Sequence, residues 1–251
     1  MNPPSESLPE EIIARIGETF QELTKYAPDK PSPARPREKN PGPYKIYENV
    51  IKRIALPEPH RDAGPGIWGL LDKRRSRRDF TPDPLSLEEL SQLLWAAQGV
   101  TSERHGYQFR TAPSAGALYP CETYVFIHQV EGVQRGLYHY PVRRHELELI
   151  KAGDFRTSLA QACLGQGMAG ECAAAFAWTG VMPRCRSKYA QRAYRYAYLD
   201  AGHIAQNLFL AAEALDLGCC NIGALYDDQV NALLGVDGRD ETILYMAVVG
   251  K

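Results

Sequence analysis

The sequence predicts an α+β fold in which helices flank a mixed central β-sheet. Segments with alternating or β-branched apolar residues predict strands, and amphipathic segments with capping residues predict helices. The two kinds of segment do not follow a strict β-α-β rhythm, which argues against a doubly wound parallel sheet. The length of 251 residues suits one large domain or at most two small ones.

The helix with the clearest start signal follows an S-x-x-E capping box at Ser86 and Glu89, and Gly99 ends it. Residues 198–217 are apolar nearly all round, so we expect a central buried helix there. The other predicted helices are 9–25, 44–54, 67–75 and 228–234, and the predicted strands are 123–128, 136–140, 146–150, 173–181, 219–222 and 243–249.

The first 66 residues differ from the rest in composition and residue pattern. We therefore divide the chain into an N-terminal extension, 1–66, and a main domain, 67–251. The extension joins the helical pattern at 9–25 to a Pro- and charge-rich linker at 28–43. We expect this extension to pack on the main domain. Its polar, proline-bearing start is unlike a secretory signal peptide.

Composition excludes several classes of protein. The sequence has 29 Lys and Arg residues and 30 Asp and Glu residues. The resulting net charge of −1 argues against nucleic acid as the partner. No apolar run reaches the ~20 residues that a membrane span needs. The six cysteines include no C-x-x-C and no His at zinc-ligand spacing. We therefore expect a cytoplasmic protein with buried thiols and no metal site.

A basic cluster, KRRSRR at 73–78, is the strongest local charge feature. Cations at a helix end complement the helix dipole, and a basic run can also contact nucleic acid. A third interpretation is a phosphate site, because Arg side chains bind phosphate oxygens in bidentate fashion and a Ser hydroxyl adds a donor.

The segment RTAPSAGALYP at 110–120 brackets small residues with prolines. Such a loop is rigid, and its backbone can approach a flat ligand closely, although an ordinary turn would have the same composition. Ser114 could be a hydrolytic nucleophile with His203 and Asp200 as partners. It lacks the G-x-S-x-G context of such serines, which argues against a hydrolase.

Two further motifs have competing interpretations. Residues 165–170 match G-x-G-x-x-G, but a predicted helix precedes them and a predicted strand follows, which is the reverse of a dinucleotide-binding unit. Residues 186–196 combine four cations with three tyrosines. They form either a helix with a solvated basic face or a Lys–Tyr pair, Lys188 and Tyr189, placed for proton transfer.

Taken in order, five motifs resemble the nitroreductase superfamily, and in particular its SagB-type dehydrogenase branch. Relatives in that branch oxidise azoline rings in ribosomal peptides. The match covers roughly residues 66–251, and the order of the five motifs makes it specific. They are RRSRRDF at 74–80, PSAGALYP at 113–120, GLYHY at 136–140, YRYAYLDAGHIAQN at 194–207 and GCCNIGA at 218–224.

The resemblance implies an enzyme with FMN at a homodimer interface. Carried over by position, Arg74, Arg75 and Ser76 bind the phosphate and ribityl chain, and Arg78 lies near the pyrimidine edge, where positive charge stabilises reduced flavin. A second group reaches the flavin from the other subunit. This second group consists of Pro113, Ser114, Ala115 and Gly116. A third group, Ile222, Gly223 and Ala224, lies along the isoalloxazine ring.

The resemblance also implies two-electron hydride transfer through flavin N5, with Lys188 and Tyr189 handling the proton. The substrate would be a small molecule or a peptide. An NAD(P)H-dependent nitro- or quinone reductase is the alternative within the enzyme class. Outside the enzyme class there are two alternatives. The chain would be a flavin-binding protein without turnover, or a nucleic-acid binder that uses the 74–78 cluster. Many nitroreductases extend beyond the last strand onto the partner subunit and add a phosphate-binding cation. Here either Lys251 replaces that cation or the contact is absent.

Overall fold

The fold is built on one seven-stranded sheet with the strand order β1-β6-β5-β4-β7-β9-β8. It is seen in a computed structural model that describes residues 13–26, 28, 38–62 and 64–251. A separate two-stranded hairpin pairs β2 with β3. The strands are β1 (Lys52–Ala55), β2 (Val100–Arg104), β3 (Tyr107–Arg110), β4 (Cys121–Ile127), β5 (Gly136–His139), β6 (Glu146–Ala152), β7 (Ala174–Val181), β8 (Gly218–Ile222) and β9 (Glu241–Gly250).

The α+β prediction is confirmed, but the strand directions differ from the mixed sheet that was expected. Every pair of neighbouring strands in the large sheet is antiparallel. β4, β5 and β6 follow one another as a meander, and tight connections of this kind impose antiparallel pairing. After β8, a helix leads into β9, which lies between β7 and β8 and is antiparallel to both.

Helices cover both faces of the sheet. The capping box at Ser86 begins its helix as predicted, with Ser86 Oγ accepting from the Glu89 amide at 3.1 Å and Glu89 Oε2 accepting from the Ser86 amide at 2.7 Å. The helices are α1 (Ile16–Leu23), α2 (Ile67–Lys73), α3 (Leu87–Gln98), α4 (Arg156–Ala162), α5 (Met168–Glu171), α6 (Met182–Tyr189), α7 (Ala193–Ala214) and α8 (Asp227–Leu234).

The two faces of the sheet carry separate apolar cores. One core joins the sheet to α3 and α7 through residues such as Leu90, Trp178 and Leu208. The other joins it to α4, α5 and α8 through residues such as Phe126 and Leu159. β4 is buried along its whole length because it lies in the middle of the sheet with both faces covered.

The N-terminal extension departs from the prediction at one point. No helix forms at 44–54; instead Lys52–Ala55 pair with β6 as an edge strand, with Lys52 opposite Leu149. This pairing satisfies an edge of β6 that would otherwise expose unpaired backbone groups. In the predicted helix 9–25, residues 9–12 lie outside the described residues, as do 29–37 of the linker. The division of the chain at residue 66 stays a prediction.

The long helix α7 also differs from the prediction, since it begins at Ala193 and is not buried all round. Tyr198 and Leu199 are 57% and 58% exposed, although apolar residues on its other faces are buried. No element in the described part of the chain covers this face. The order α4, α5, β7 confirms that the glycines at 165–170 do not follow a strand as a dinucleotide-binding loop would. None of the helices in the described ranges is long and apolar enough to cross a membrane.

Candidate active site

The segment 113–116 is held against α7 by one buried carboxylate. Ser114 Oγ donates to Asp200 Oδ2 at 2.5 Å, and the Ala115 amide donates to Asp200 Oδ1 at 3.4 Å. The Ser114 hydroxyl also accepts from the Tyr119 amide at 2.9 Å. Burial raises the pKa of Asp200, and these hydrogen bonds oppose the rise. Asp200 therefore fixes the conformation of the loop from the middle of the helix.

This arrangement does not fit a serine hydrolase. The Ser114 hydroxyl is committed to Asp200 and to the Tyr119 amide, and no imidazole hydrogen-bonds to it among the described residues. A nucleophilic serine needs a base within hydrogen-bond reach. The hydrolase alternative is therefore not supported, and the loop is a positioned backbone segment instead.

Lys188 and Tyr189, at the end of α6, converge on Gly116. A Cβ atom added at Gly116 would lie 2.6 Å from Tyr189 Oη and 2.7 Å from Lys188 Nζ, and Gly116 has a φ of +64°. Both the close approach and the left-handed backbone require glycine here. Two predicted groups of site residues, separated by about 70 positions in the sequence, therefore meet at one point.

The other cations of segment 186–196 have ion-pair or hydrogen-bond partners, whereas the ammonium of Lys188 only lies over the Tyr189 ring, 5.4 Å from its centroid. Arg186 pairs with Glu38 and Asp240, each at 2.6 Å. Arg195 Nη2 donates to the Gln21 carbonyl at 2.5 Å at the end of α1. Among the described residues, Lys188 Nζ and Tyr189 Oη have no hydrogen-bond partner, and Lys188 is exposed. These two polar groups remain free to meet a ligand.

Three non-glycine residues with positive φ surround this meeting point. They are Ala117, Tyr119 and Ala190, with φ values of 54°, 46° and 48°. Such conformations cost free energy and concentrate at functional sites. Ala190 ends α6 directly after Tyr189, so the turn that places Tyr189 is itself unusual.

Tyr196 extends the polar group around Tyr189. Its ring packs edge-on against Tyr189 at a centroid distance of 4.7 Å, and its hydroxyl accepts from Arg192 Nε at 3.0 Å. Burial raises the pKa of Tyr196, but its hydrogen bonds with Tyr26 and Arg192 outweigh burial, and the net shift is downward. The N-terminal segment thus reaches the candidate site through Tyr26.

The basic segment 74–78 runs along the outer edge of the sheet, beside β8. The Arg77 amide donates to the Cys219 carbonyl at 2.9 Å, and the Thr81 amide donates to the Lys251 carbonyl at 2.7 Å. The ring of Phe80 lies so close to Gly218 and Gly250 that a Cβ atom at these glycines would lie 3.0 Å and 2.8 Å from it. The segment is therefore firmly positioned by its backbone and by Phe80.

Its side chains divide into paired and unpaired cations. Arg77 pairs with Glu213 at 3.2 Å, and the Arg74 guanidinium lies 4.8 Å from the Phe209 ring centroid. In the described part of the chain, Arg74, Arg75 and Arg78 have no carboxylate within 4.0 Å. The hydroxyl of Ser76 is exposed and has no partner there. Arg75 Nη1 donates to the Asp72 and Arg74 carbonyls, each at 2.8 Å, and its other donors have no protein acceptor in the described part of the chain. Three guanidinium groups without a carboxylate partner, beside a free hydroxyl, are a suitable receptor for a phosphate.

The remaining predicted binding residues lie at the two ends of β8. Ile222, Gly223 and Ala224 follow one another at its C-terminal end, about 10 Å from Cys219 at ~3.3 Å per residue. The Ala224 carbonyl accepts from Gln166 Nε2 at 2.9 Å. Lys251 lies at the other end, where its ammonium is 3.5 Å from Glu89 Oε2. This ion pair competes with the phosphate-binding role predicted for Lys251.

Sequence reasoning missed Asp200 as the anchor of the 113–116 loop, having considered it only as a partner in a hydrolase. It also missed a buried charge network on β4, β5 and β6. There His139 lies between Glu122, at 2.9 Å, and Glu148, at 3.1 Å, and Arg184 pairs with Glu122 at 2.6 Å. A charged residue within an otherwise apolar strand was the available signal. No group of His, Cys, Asp or Glu within the described ranges could hold a metal ion.

Comparison with known proteins places this chain in a family. The model of the nitroreductase family matches residues 71–251. A protein of Methanocaldococcus jannaschii named as a nitroreductase is 38% identical over 179 residues, which are 71% of this chain and 88% of its own. Two proteins of Rhizobium leguminosarum, the trifolitoxin operon protein TfxC and the trifolitoxin-processing protein TfxB, are 29% and 31% identical. The matches cover 79% and 67% of this chain but only 58% and 48% of those proteins.

Solved structures agree in fold. A protein of Ralstonia eutropha named as a nitroreductase has a TM-score of 0.69 at 29% identity, over 83% of this chain and 98% of its own. One of Anabaena variabilis has a TM-score of 0.73 at 29% identity, over 93% of this chain and 46% of that chain. A chain of the E. coli microcin synthetase McbBCD complex shares the fold alone, with a TM-score of 0.60 at 21% identity over 97% of this chain and 94% of its own. The family model spans well over half of the sequence and includes both the basic segment and the 113–116 loop, so the chain belongs to the nitroreductase family of flavin-dependent oxidoreductases.

Proposed function

We propose that this chain is an FMN-dependent dehydrogenase of the SagB type, which oxidises a ring C–H bond in a peptide substrate. The observation that carries the proposal is the convergence of Lys188 Nζ and Tyr189 Oη on Gly116 of the predicted flavin loop. Neither atom has a hydrogen-bond partner among the described residues. The similarity to TfxB, whose name describes trifolitoxin processing, supports a peptide as the substrate.

The residues present fit FMN. Arg74, Arg75 and Ser76 would hold the phosphate, because they combine unpaired cations with a free hydroxyl donor. Gly223 and Ala224 would lie along the ring, where exposed small residues let the backbone approach a flat ligand. When bound, FMN supplies two-electron chemistry at its N5 atom.

The chain itself would supply proton transfer. Oxidation of an azoline to an azole removes one hydrogen as a hydride and a second as a proton. Lys188 and Tyr189 are the groups placed to accept that proton, since neither is committed to another residue. A positioned acid or base contributes typically 10²–10⁴-fold to a rate.

The geometry of α7 favours a site shared by two subunits. Asp200, which anchors the 113–116 loop, and Phe209, which lies under Arg74, are nine positions apart on this helix. At 3.6 residues per turn and 1.5 Å per residue they lie on opposite faces, about 14 Å apart along the axis. The 113–116 loop and the basic segment 74–78 therefore face in opposite directions within one chain. They complete a flavin site more readily if the loop of one copy meets the basic segment of a second copy. The exposed Tyr198 and Leu199 supply an apolar face for such a dimer.

The proposal is tested by anaerobic single-turnover mixing of the FMN-loaded protein with an azoline-containing peptide. We expect the flavin absorbance to bleach with this peptide, and Lys188→Ala and Tyr189→Phe to slow bleaching by roughly 10²-fold or more while FMN content is kept. Lys52→Ala and Tyr107→Phe, which remove the same groups at exposed positions on β1 and β3, are the matched controls.

Three results would count against parts of this proposal. Bleaching by NADPH but not by any azoline peptide would favour the nitro- or quinone-reductase alternative. Unchanged bleaching rates in both site variants would remove Lys188 and Tyr189 from the mechanism. A monomer in sedimentation that keeps stoichiometric FMN would refute the shared site.

A further inference from the structure

A cavity of about 160 Å³ lies apart from the residues assigned to the flavin. It opens between the extended segment 43–46 of the N-terminal extension and the turn 141–144 that joins β5 to β6. Arg110, at the end of β3, and Glu122, on β4, form its inner wall. Nothing in the proposed oxidation uses this cavity.

Arg110 is a buried cation that none of the described carboxylates contacts directly, and its guanidinium lies 4.3 Å from the Tyr119 ring centroid and 5.6 Å from that of Tyr44. Its side chain is only 8% exposed, and it donates to Gln98 Oε1 at 2.6 Å and to the Pro43 carbonyl at 3.1 Å, both neutral acceptors. Arg110 Nε is buried with no hydrogen-bond partner, and no carboxylate lies within 4.0 Å among the described residues. Burial lowers the pKa of Arg110, and the charge of Glu122 opposes this shift only in part. A buried charge with an unsatisfied donor is costly unless something pairs with it.

The one acid in the cavity wall is already occupied. Glu122 Oε1 accepts from Arg184 at 2.6 Å and from the Lys45 amide at 3.2 Å, and Glu122 Oε2 contacts His139 at 2.9 Å. Each oxygen of Glu122 therefore has at least one close donor of its own. Glu122 therefore stabilises the charge of Arg110 only from beyond 4.0 Å, and the unsatisfied Arg110 Nε remains for an anion that enters from outside.

A second cation stands at the mouth of the cavity. Arg143 is exposed and forms no ion pair within the described ranges, whereas its neighbour Arg144 pairs with Glu146 and Glu148. The aliphatic part of the lining comes from Ile46, Pro141 and Val142. The other cations in the lining, Lys45 and Arg144, are already paired with glutamates. Two guanidinium groups beside an aliphatic wall suit an anion that also has an apolar part.

We propose that this cavity binds a carboxylate attached to a short aliphatic chain, with Arg110 at its inner end and Arg143 at its mouth. At about 30 Å³ per water molecule, the volume equals roughly five waters, which suits a carboxylate with two to four carbons attached. The group could come from a free organic acid or from the C-terminus of a peptide. A bare inorganic anion would leave the aliphatic wall unused.

The test uses the full-length protein and butyrate as the probe, with titration calorimetry and thermal unfolding as readouts. We expect butyrate to bind and to raise the unfolding temperature, whereas butyramide, its neutral analogue, and sulfate do not. Arg143→Ala should weaken butyrate binding about tenfold. Arg156→Ala, which removes a partly exposed arginine paired with Asp154, should bind butyrate as the unmodified protein does.

An acetylated Ala-Val dipeptide and its C-terminal amide distinguish the two sources. Binding of the acid but not of the amide assigns the cavity to a peptide C-terminus, and binding of butyrate alone assigns it to a free acid. Equal binding of butyrate and butyramide would overturn the proposal, as would unchanged butyrate affinity in Arg143→Ala. Stabilisation by sulfate as strong as that by butyrate would refute the carboxylate class.

Discussion

Gly116→Ala probes the meeting point of the candidate site directly. The new Cβ would lie 2.6 Å from Tyr189 Oη and 2.7 Å from Lys188 Nζ, closer than side-chain contacts allow, so both groups must move. The substitution also places an L-residue at a φ of +64°, which costs about 1–2 kcal/mol by itself. A displacement of about 1 Å at a catalytic group can lower a rate 10²-fold. We therefore expect a folded, FMN-containing protein whose flavin is reduced by substrate about 10²-fold more slowly.

Gly132→Ala separates the two effects. Gly132 has a φ of +69°, nearly that of Gly116, but no atom lies within 4 Å of the position of its Cβ. Its substitution should cost the same backbone free energy in chemical denaturation and leave the rate of flavin reduction unchanged. If Gly116→Ala reduced its flavin as fast as Gly132→Ala, the close approach of Lys188 and Tyr189 would have no role in turnover. Equal free energies of unfolding with different rates would assign the whole effect to the displaced side chains.

Three further predictions concern binding and stability. Arg74→Ala should weaken FMN binding tenfold to a hundredfold in reconstitution of the apo-protein, because a charge-assisted bond contributes ~1.5–3 kcal/mol. Burial acts to raise the pKa of Glu122, but Arg184 and His139 outweigh it and lower the pKa to about 2. The free energy of unfolding that Glu122 contributes should therefore be fully present above its ordinary pKa. In acid unfolding it should fall by about 3 kcal/mol as pH drops toward 2, and Glu122→Gln should remove this part of the pH dependence. Ser86→Ala should lower the free energy of unfolding by about 1 kcal/mol in urea, through loss of the capping box.

Local patterns predicted most elements of the main domain because local and tertiary preferences agree there. The capping box at Ser86 and the strand at 123–128 are examples, the latter observed as Cys121–Ile127. The prediction failed at 44–54, where pairing with β6 decides the conformation of the chain and the local pattern does not. It also missed the β2–β3 hairpin, because β2 is polar and exposed and the alternation of Tyr107 and Phe109 in β3 spans only four residues. Its turn at His105 and Gly106, both with positive φ, was the available signal.

The candidate site was predictable as separate segments but not as an assembly. Motif order identified the 113–116 loop and the Lys188–Tyr189 pair, yet nothing in their spacing indicates that Tyr189 Oη reaches Gly116. The same holds for Asp200, since a single carboxylate in an apolar helix has no local signature of its partner. Such contacts arise from how α6 and α7 pack, and packing depends on residues distant in sequence.

The exposed face of α7 connects the fold to the site. An interior helix that is apolar all round should be covered on every side, and α7 is covered by the sheet and by α3 but not at Tyr198 and Leu199. The same helix holds the 113–116 loop through Asp200 and pairs with the basic segment through Glu213. A second copy packed on that face would bury the apolar side chains and bring its own basic segment toward the first copy's loop. The proposed dimer would therefore account for the unusual composition of α7, because one helix would both join two subunits and support two half-sites.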